Sequence, residues 1–292
     1  MVEEAGEKTK RSGAALARLN RRFPWLKMVV LLIITVAVAA YVVLKPMMED
    51  GRLIFEFTLS SREIVTESEP VTQPEPVPVV QQIPVPDLTG KMLIALTFDD
   101  GPDAEVTPRV LDVLQEKQAR ATFFVLGQKM QGLPDIVRRA EKEGHEIESH
   151  SLWHGNLSTF SRDEVFNDYN SSREIFQEVL GHEFKMLRPP YGAVNSYVRE
   201  LPVPLMAWSV DTEDWKSKDA GSVLWHTQNY SFDGAVVLMH DVHPSTVEAV
   251  GPVIDDLRSR GYEFVTVSEL ANLRGVELTP GVMWGRFRVD GE

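Results

Sequence analysis

The chain contains no cysteine. That excludes disulfides and thiolate chemistry, and it obliges any metal site to use His, Asp or Glu. It does not choose between an oxidising exterior and a reducing cytosol. Basic charge is scarce beyond residue 27. Residues 1–27 carry seven Lys/Arg and three Glu, whereas the remainder carries 23 basic and 40 acidic residues. An acidic body is a poor nucleic-acid binder, because neutralising phosphates takes a basic face. With 43% hydrophobic and 25% charged residues over 292 positions, the composition otherwise suits one large globular domain or two small ones.

One long apolar run is present. Met28 to Leu44 has no charged residue and is nearly all Val, Leu, Ile or Ala. As a helix it would span roughly 26 Å, the short end of what a bilayer core requires. Trp25 and Tyr41 lie near its ends, as interfacial aromatics do. The basic flank precedes it, so the positive-inside bias puts residues 1–27 in the cytoplasm and the body outside. The expectation is an uncleaved, single-pass plasma-membrane anchor over residues 28–44. The rival readings are a signal peptide cut near Ala37-Val38-Ala39, releasing a secreted form, and a buried core helix. Residues 45–89 then read as an extracytoplasmic linker, with six prolines between Pro70 and Pro86. Such a stretch favours extended, stiff chain that holds the body off the membrane. Leu53, Phe55 and Phe57 alternate and suggest a short strand within 51–60.

From residue 90 the pattern becomes regular. Strand-like apolar runs fall at 92–98, 121–126, 145–149, 184–187, 204–210, 235–240 and 263–267, with helical patterns between most of them. Thr107-Pro108 suggests an N-cap and a first-turn proline, Ser161 to Glu164 a capping box for a helix stopped by Gly181, and Ser245 a cap for a helix stopped by Gly261. Continuous apolar strands alternating with helices imply a parallel sheet covered by helices, as a barrel or an open doubly wound sheet. Both gather function at the C-terminal ends of their strands. The body is expected to end near residue 274, leaving 275–292 as a tail without assignment.

Five polar clusters stand at those strand ends: Thr97 to Pro102, His150 to His154, Arg188 to Gly192, Asp211 to Trp215 and Leu238 to Asp241. Asp99 and Asp100 are adjacent carboxylates that repel, and a nearby cation relieves them; the plain alternative is a turn. His150 and His154, four apart, would share one side of a helical turn and one metal. With a carboxylate they make a two-His, one-carboxylate site that leaves a position open, the catalytic pattern for zinc. Arg188, stiffened by the two prolines after it, is a candidate to orient a carboxylate. A buried Asp–His pair involving His240 would hold a charged imidazole ready to give a proton. His145, His182, His226 and His243 read as structural or surface residues.

These five clusters, in this order, resemble the polysaccharide deacetylases of carbohydrate esterase family four, whose motifs are Thr-Phe-Asp-Asp-Gly-Pro, His-Ser-x-x-His, Arg-Pro-Pro-Tyr/Phe-Gly, Asp-x-x-Asp-Trp and Leu-x-His. The resemblance covers residues 90–274 and implies a distorted (β/α)7 barrel. It implies that Asp100, His150 and His154 hold a divalent metal, usually Zn2+, with Co2+, Mn2+ or Fe2+ as substitutes. Asp99 would be the general base, steadied by Arg188. The backbone N–H of Tyr191 would face the oxyanion. His240 would be the general acid, tuned by Asp214 rather than Asp211. Trp215, Leu238 and Pro189 would contact substrate.

The expected activity is removal of N-acetyl groups from an N-acetylglucosamine polymer outside the cell, peptidoglycan first, by a monomeric enzyme that binds no nucleic acid. The alternatives are deacetylation of poly-N-acetylglucosamine or chitin-like oligomers, O-acetyl esterase action on xylan, a small-molecule amidohydrolase, and a non-catalytic wall-binding protein.

Overall fold

The computed structural model describes residues 88 and 90–288, together with the backbone of 48–49 and 52–53. The expected membrane segment 28–44 and nearly all of the linker 45–89 lie outside the described residues. Among the described residues, no helix is long and apolar enough to cross a membrane. In the N-terminal unit, Met48–Glu49 pairs antiparallel with Arg52–Leu53. The latter two residues are the described part of the strand expected over 51–60.

The second unit holds the alternating elements. In chain order they are β1 (Met92–Asp99), α1 (Val106–Glu116), β2 (Thr122–Val125), α2 (Gly127–Gly132), α3 (Pro134–Lys142), β3 (Glu146–Ser149), α4 (Arg162–Leu180), β4 (Leu205–Met206), β5 (Val210–Asp211), α5 (Asp214–Ser217), α6 (Ala220–Tyr230), β6 (Ala235–His240), α7 (Pro244–Ser259), β7 (Tyr262–Phe264), α8 (Val267–Leu273) and β8 (Met283–Trp284). All strand pairs in this unit are parallel. The sheet runs β3-β2-β1-β6-β5, and β7 joins the first half of β1.

β1 is the central strand because it is apolar on both faces. Only Met92 of its residues is less than buried, which fits a position covered above and below. Successive side chains alternate between the two faces. Ile94, Leu96 and Phe98 belong to the larger apolar cluster that includes residues of α1, α4 and α7. Leu93 and Ala95 belong to a smaller one with Phe124, Met186, Met206, Val236, Val265 and Phe287. Single parallel bridges, Ser149 to Leu187 and Leu187 to Leu205, carry the sheet on from β3 to β4, which pairs with β8. Arg286, past β8, bridges back to Ala235 of β6. The result is a parallel-sheet α/β fold consistent with a (β/α)7 barrel distorted on its β4 side.

The departures from the expected elements have local causes. Residues 184–187 contribute only the two isolated bridges of Leu187 rather than a strand, because the Lys185 and Met186 N–H groups donate to the buried Glu148 carboxylate, both to Oε2 at 2.7 and 2.8 Å. Burial raises the Glu148 pKa well above the usual carboxylate value. The run 204–210 breaks into β4 and β5. There the Ala207 carbonyl is taken by Arg188 and the Ser209 N–H turns to Val236. The last expected strand shifts to 262–264, since Thr266 instead caps α8 in a capping box with Glu269.

Thr107 is not an N-cap. Its hydroxyl is drawn to Asp241 at 2.5 Å, and Asp103 Oδ1 accepts the Glu105 and Val106 N–H groups at the start of α1. Ser245 is likewise inside α7, whose first residue is Pro244, because proline's fixed φ suits that position. The capping box at Ser161 and the left-handed stop at Gly181 are present as expected.

The segment beyond 274 is integral to this unit. Phe287 is buried, and its N–H donates to the Gly234 carbonyl at 2.8 Å. Gly234 has φ +88°, and a Cβ there would overlap the Phe287 carbonyl oxygen. Gly234→Ala should therefore lose more than the about 1–3 kcal/mol of a left-handed non-glycine residue, read as a lowered urea midpoint. Gly261→Ala is the control, with φ +92° but only Met92 at 3.8 Å. Equal losses in the two variants would show that the C-terminal strap is not tightly seated.

Candidate functional site

The mouth of the sheet collects the polar clusters. β1 ends in Asp99, and Asp100 turns away from the strand with φ +74°. His150 directly follows β3. The stretch 150–154 is a loop and not the expected helical turn; Ser151 at φ +74° and His154 at φ +63° fold it back on itself. The Ser151 hydroxyl accepts the His154 N–H at 3.0 Å, and Asp168 Oδ1 on α4 accepts the Leu152 N–H at 3.0 Å.

So held, His150 Nε2 lies 3.5 Å and His154 Nε2 3.2 Å from Asp100 Oδ1. One ligand atom from each of the three residues lies within 4.8 Å of the others. The His150 Nδ1 meets the Arg188 carbonyl at 2.7 Å. A carbonyl only accepts, so Nδ1 carries the proton and Nε2 keeps its lone pair for a cation. Burial lowers the His150 pKa, which favours that neutral form. Asp100 Oδ1 is buried without a hydrogen-bond partner. A buried carboxylate oxygen facing two imidazole lone pairs is costly unless a cation sits among them, so the donor set fits a divalent metal.

Asp99 is anchored from behind. Thr97 and Asp99 are two apart on β1 and face the same way, toward Arg188. Arg188 Nη1 donates to Asp99 Oδ1 at 2.6 Å and to Thr97 Oγ1 at 2.8 Å, while Nη2 donates to the Ala207 carbonyl at 3.0 Å. The guanidinium lies over the Phe124 ring, 3.9 Å from its centroid. Burial pulls the Arg188 pKa down, opposed by Asp99. Asp99 Oδ2 is left toward the ligand cluster, 3.7 Å from His150 Nε2.

His240 stands in register with Asp99 on the neighbouring strand. Its Nδ1 donates to Asp214 Oδ1 at 2.7 Å. The buried Asp214 carboxylate is held from all sides: it also accepts the His240 N–H, the Thr246 hydroxyl and the Trp215 N–H. Burial alone would lower the His240 pKa, but the Asp214 hydrogen bond and charge, with Asp99 and Asp100 beyond, push it up to about 9. Burial opposes ionisation of Asp214 as well, yet the bonds from His240 and Thr246 keep its pKa below the usual value. Asp211, the alternative partner, instead accepts the Glu213 N–H at 2.8 Å.

A cavity of ≈ 370 Å³ joins these groups, lined by both aspartates, His150, His154 and His240 together with Tyr191, Trp208, Asp211, Trp215 and Leu238. Tyr191 is exposed at φ +61°, with its ring edge-on to His154 at 4.7 Å. Pro189 is buried below that turn and lines no part of the cavity. Its carbonyl accepts the Gly192 N–H at 2.9 Å, which shapes the turn that displays Tyr191.

Trp208, Phe124 and Thr246 were not singled out from the sequence, and Thr97 was named only as the start of the first cluster. Trp208 sits in the break between β4 and β5, and only its proximity to the Asp211 cluster hinted at a role. His145 is buried with its pKa lowered to about 3, chiefly by burial, and accepts the Ala121 N–H. His182 pairs with Glu141. His226 bonds the Ser222 carbonyl, and His243 is the N-cap position just before α7. None of these four lines the cavity.

In the metal-free protein, an NMR titration should find the His240 imidazole protonated through neutral pH and losing its proton near 9. Asp214→Asn removes the charge and acceptor that outweigh burial, so the titration should fall to 6.5 or below. An unmoved titration in that variant would refute the pairing.

Comparison with known proteins bears on the same region. The family model for polysaccharide deacetylase matches residues 87–203. A peptidoglycan-N-acetylglucosamine deacetylase of Listeria monocytogenes is 45% identical over 187 residues, covering 64% of this chain and 40% of that protein. This chain thus spans about two fifths of that relative's length. A peptidoglycan-N-acetylglucosamine deacetylase of Bacillus cereus is 37% identical over 187 residues, 61% of this chain and 87% of the relative. The structure of a family 4 acetyl xylan esterase from Clostridium thermocellum, in complex with a cobalt ion, superimposes with a TM-score of 0.64 at 35% identity, covering 66% of this chain and 98% of that one. With its sheet, its strand-end clusters and these relatives in agreement, the chain belongs to the polysaccharide deacetylase family.

Proposed function

We propose that the protein is a metal-dependent deacetylase that hydrolyses the N-acetyl groups of N-acetylglucosamine residues in peptidoglycan. The observation that carries this reading is the placement of two opposed proton-handling groups, Asp99 with Arg188 and His240 with Asp214, on adjacent strands around a two-His, one-carboxylate cluster in one cavity. A cation bound by Asp100, His150 and His154 supplies Lewis acidity, which lowers the pKa of water and polarises a carbonyl.

The chain's own groups do the rest. Asp99 takes the proton of the attacking water at Oδ2, since Oδ1 is held by Arg188. The Tyr191 N–H makes no hydrogen bond to another described residue. It is free to meet the oxygen on which negative charge develops. His240 gives the proton at Nε2 to the leaving nitrogen, because an amide cleaves badly when the amine departs unprotonated. Asp214 holds that imidazole charged and aimed. Leu238, Trp208 and Trp215 give the cavity apolar walls suited to an acetyl methyl.

O-acetyl esterase action on xylan is the second reading, supported by the likeness to the acetyl xylan esterase. The same groups cleave an ester, whose alkoxide also leaves with a proton from His240. Acetate release from N-acetylglucosamine oligomers and peptidoglycan, set against acetylated xylan, separates the two. A non-catalytic wall-binding role is disfavoured by the complete pair of proton-handling groups.

Asp99→Asn should keep the metal, by elemental analysis, and lose about 10²–10⁴-fold in turnover. Chelation should abolish activity and Zn2+ or Co2+ should restore it. Full activity in the variant, or in chelated enzyme, would overturn the assignment.

The proposed setting is the outer face of the plasma membrane. Residues 28–44 form the anchor, 45–89 the spacer, and the catalytic body begins near residue 90. This rests on the uncharged run, its basic flank and the prolines after it. The full chain should sediment with membranes through a carbonate wash, and added protease should reach the body in intact spheroplasts. A body released by the wash, or shielded from protease, would count against the anchor.

A further inference from the structure

Asp241 takes no part in the cavity lining, yet it is buried directly after His240 at the end of β6. Its Oδ2 accepts the Thr107 hydroxyl at 2.5 Å, and that hydroxyl in turn accepts the Asp103 N–H at 2.8 Å. Oδ1 is buried without a hydrogen-bond partner. A buried carboxylate oxygen left unpaired is costly, and an apolar side chain would fill the same space without that penalty. Packing alone therefore does not account for an aspartate at this position.

The carboxylate lies against Gly101. A Cβ on that glycine would overlap both Asp241 oxygens, so only a bare Cα fits there. Gly101 follows Asp100, the proposed metal ligand, whose backbone is held at φ +74°. A non-glycine residue keeps such a left-handed conformation only where its surroundings impose it. Three contacts surround this turn. Lys129 Nζ donates to the Asp100 carbonyl at 2.9 Å, the Leu126 N–H donates to the Gly101 carbonyl at 2.9 Å, and the Asp241 carboxylate abuts the Gly101 Cα. The first two tie the turn to α2 and to the end of β2. The third ties it to β6, and Thr107 in the first turn of α1 sets the angle of the carboxylate. The shape of the turn decides where the Asp100 side chain points, and hence how Oδ1 meets the His150 and His154 imidazoles.

We infer that Asp241 is a positioning residue for the metal centre: its carboxylate, fixed by Thr107, seats Gly101 and so aims Asp100 at His150 and His154. This inference rests on the metal-dependent reading of the site. Groups that orient a ligand without touching the ion are worth about 10–100-fold in metal affinity.

The test uses the full-length protein and does not depend on turnover. Zn2+ affinity is read by competition with a chelating dye, and the Co2+ form by its visible absorption, which reports ligand geometry. Asp241→Ala and Thr107→Val should each weaken Zn2+ by about 10–100-fold and alter the Co2+ spectrum. Asp241→Asn keeps an oxygen for the Thr107 hydroxyl and the shape that meets Gly101, and Thr107→Ser keeps the hydroxyl. Both should bind as the parent does. Parent-like affinity and spectrum in Asp241→Ala and Thr107→Val would overturn the inference. So would a loss in Asp241→Asn as large as in Asp241→Ala, because charge rather than seating would then be at work. Should Asp241→Ala fail to fold, by circular dichroism, Thr107→Val set against Thr107→Ser decides alone. A parent that binds neither ion sinks the metal centre and this inference with it, whereas a parent that binds while every variant matches it sinks the inference only.

Discussion

A guanidinium with no access to solvent organises the mouth of the sheet. Arg188 is fully buried, and a buried ion costs several kcal/mol unless it is paired and hydrogen-bonded. Asp99, Thr97 and the Ala207 carbonyl provide that compensation, and Phe124 provides a face to lie on. Each contact has a second effect. The Asp99 contact leaves the second carboxylate oxygen facing the His150 imidazole. The Ala207 contact diverts the chain between β4 and β5 and brings Trp208 into the cavity. The Arg188 carbonyl, meanwhile, sets the tautomer of His150. The orientation of Asp99, the tautomer of His150 and the cavity wall at Trp208 therefore depend on one residue.

The opposite side of the cavity uses the same logic with the signs exchanged. Asp214 is the buried charge there, and four donors surround it. Its field helps raise the His240 pKa to about 9, so the proposed acid and the proposed base, Asp99, can face each other across one pair of strands without neutralising one another. The separation is kept by two independent counter-charges behind them. Neither counter-charge lines the cavity.

Much of this was legible before any coordinates. The strands from 92, 121, 145 and 235 announce themselves by continuous apolar runs, and every ligand and proton-handling candidate sits at a strand end. Asp214 was distinguished from Asp211 by the resemblance, and the hydrogen bonds agree. What escaped detection is long-range. Nothing local says that Thr107 will bond Asp241 rather than cap α1, or that Glu148 will take the N–H groups of Lys185 and Met186 in place of a strand. The loop at 150–154 was misread because an i, i+4 histidine pair is helical only when the backbone is; here two left-handed residues bring the rings together instead. The segment past 274 has no strong periodicity, so its pairing with β4 and β6 was invisible.

β1 is the first strand of the parallel sheet to be made, yet of its partners only β2 follows closely, while β6 and β7 come far later in the chain. The Thr97 hydroxyl bonds the Val237 carbonyl, 140 residues further on. Until β6 and β7 emerge, one edge of β1 and the first half of the other lie unpaired, the kind of intermediate prone to clumping. The strand order thus leaves completion of the sheet around β1 to the C-terminal part of the chain.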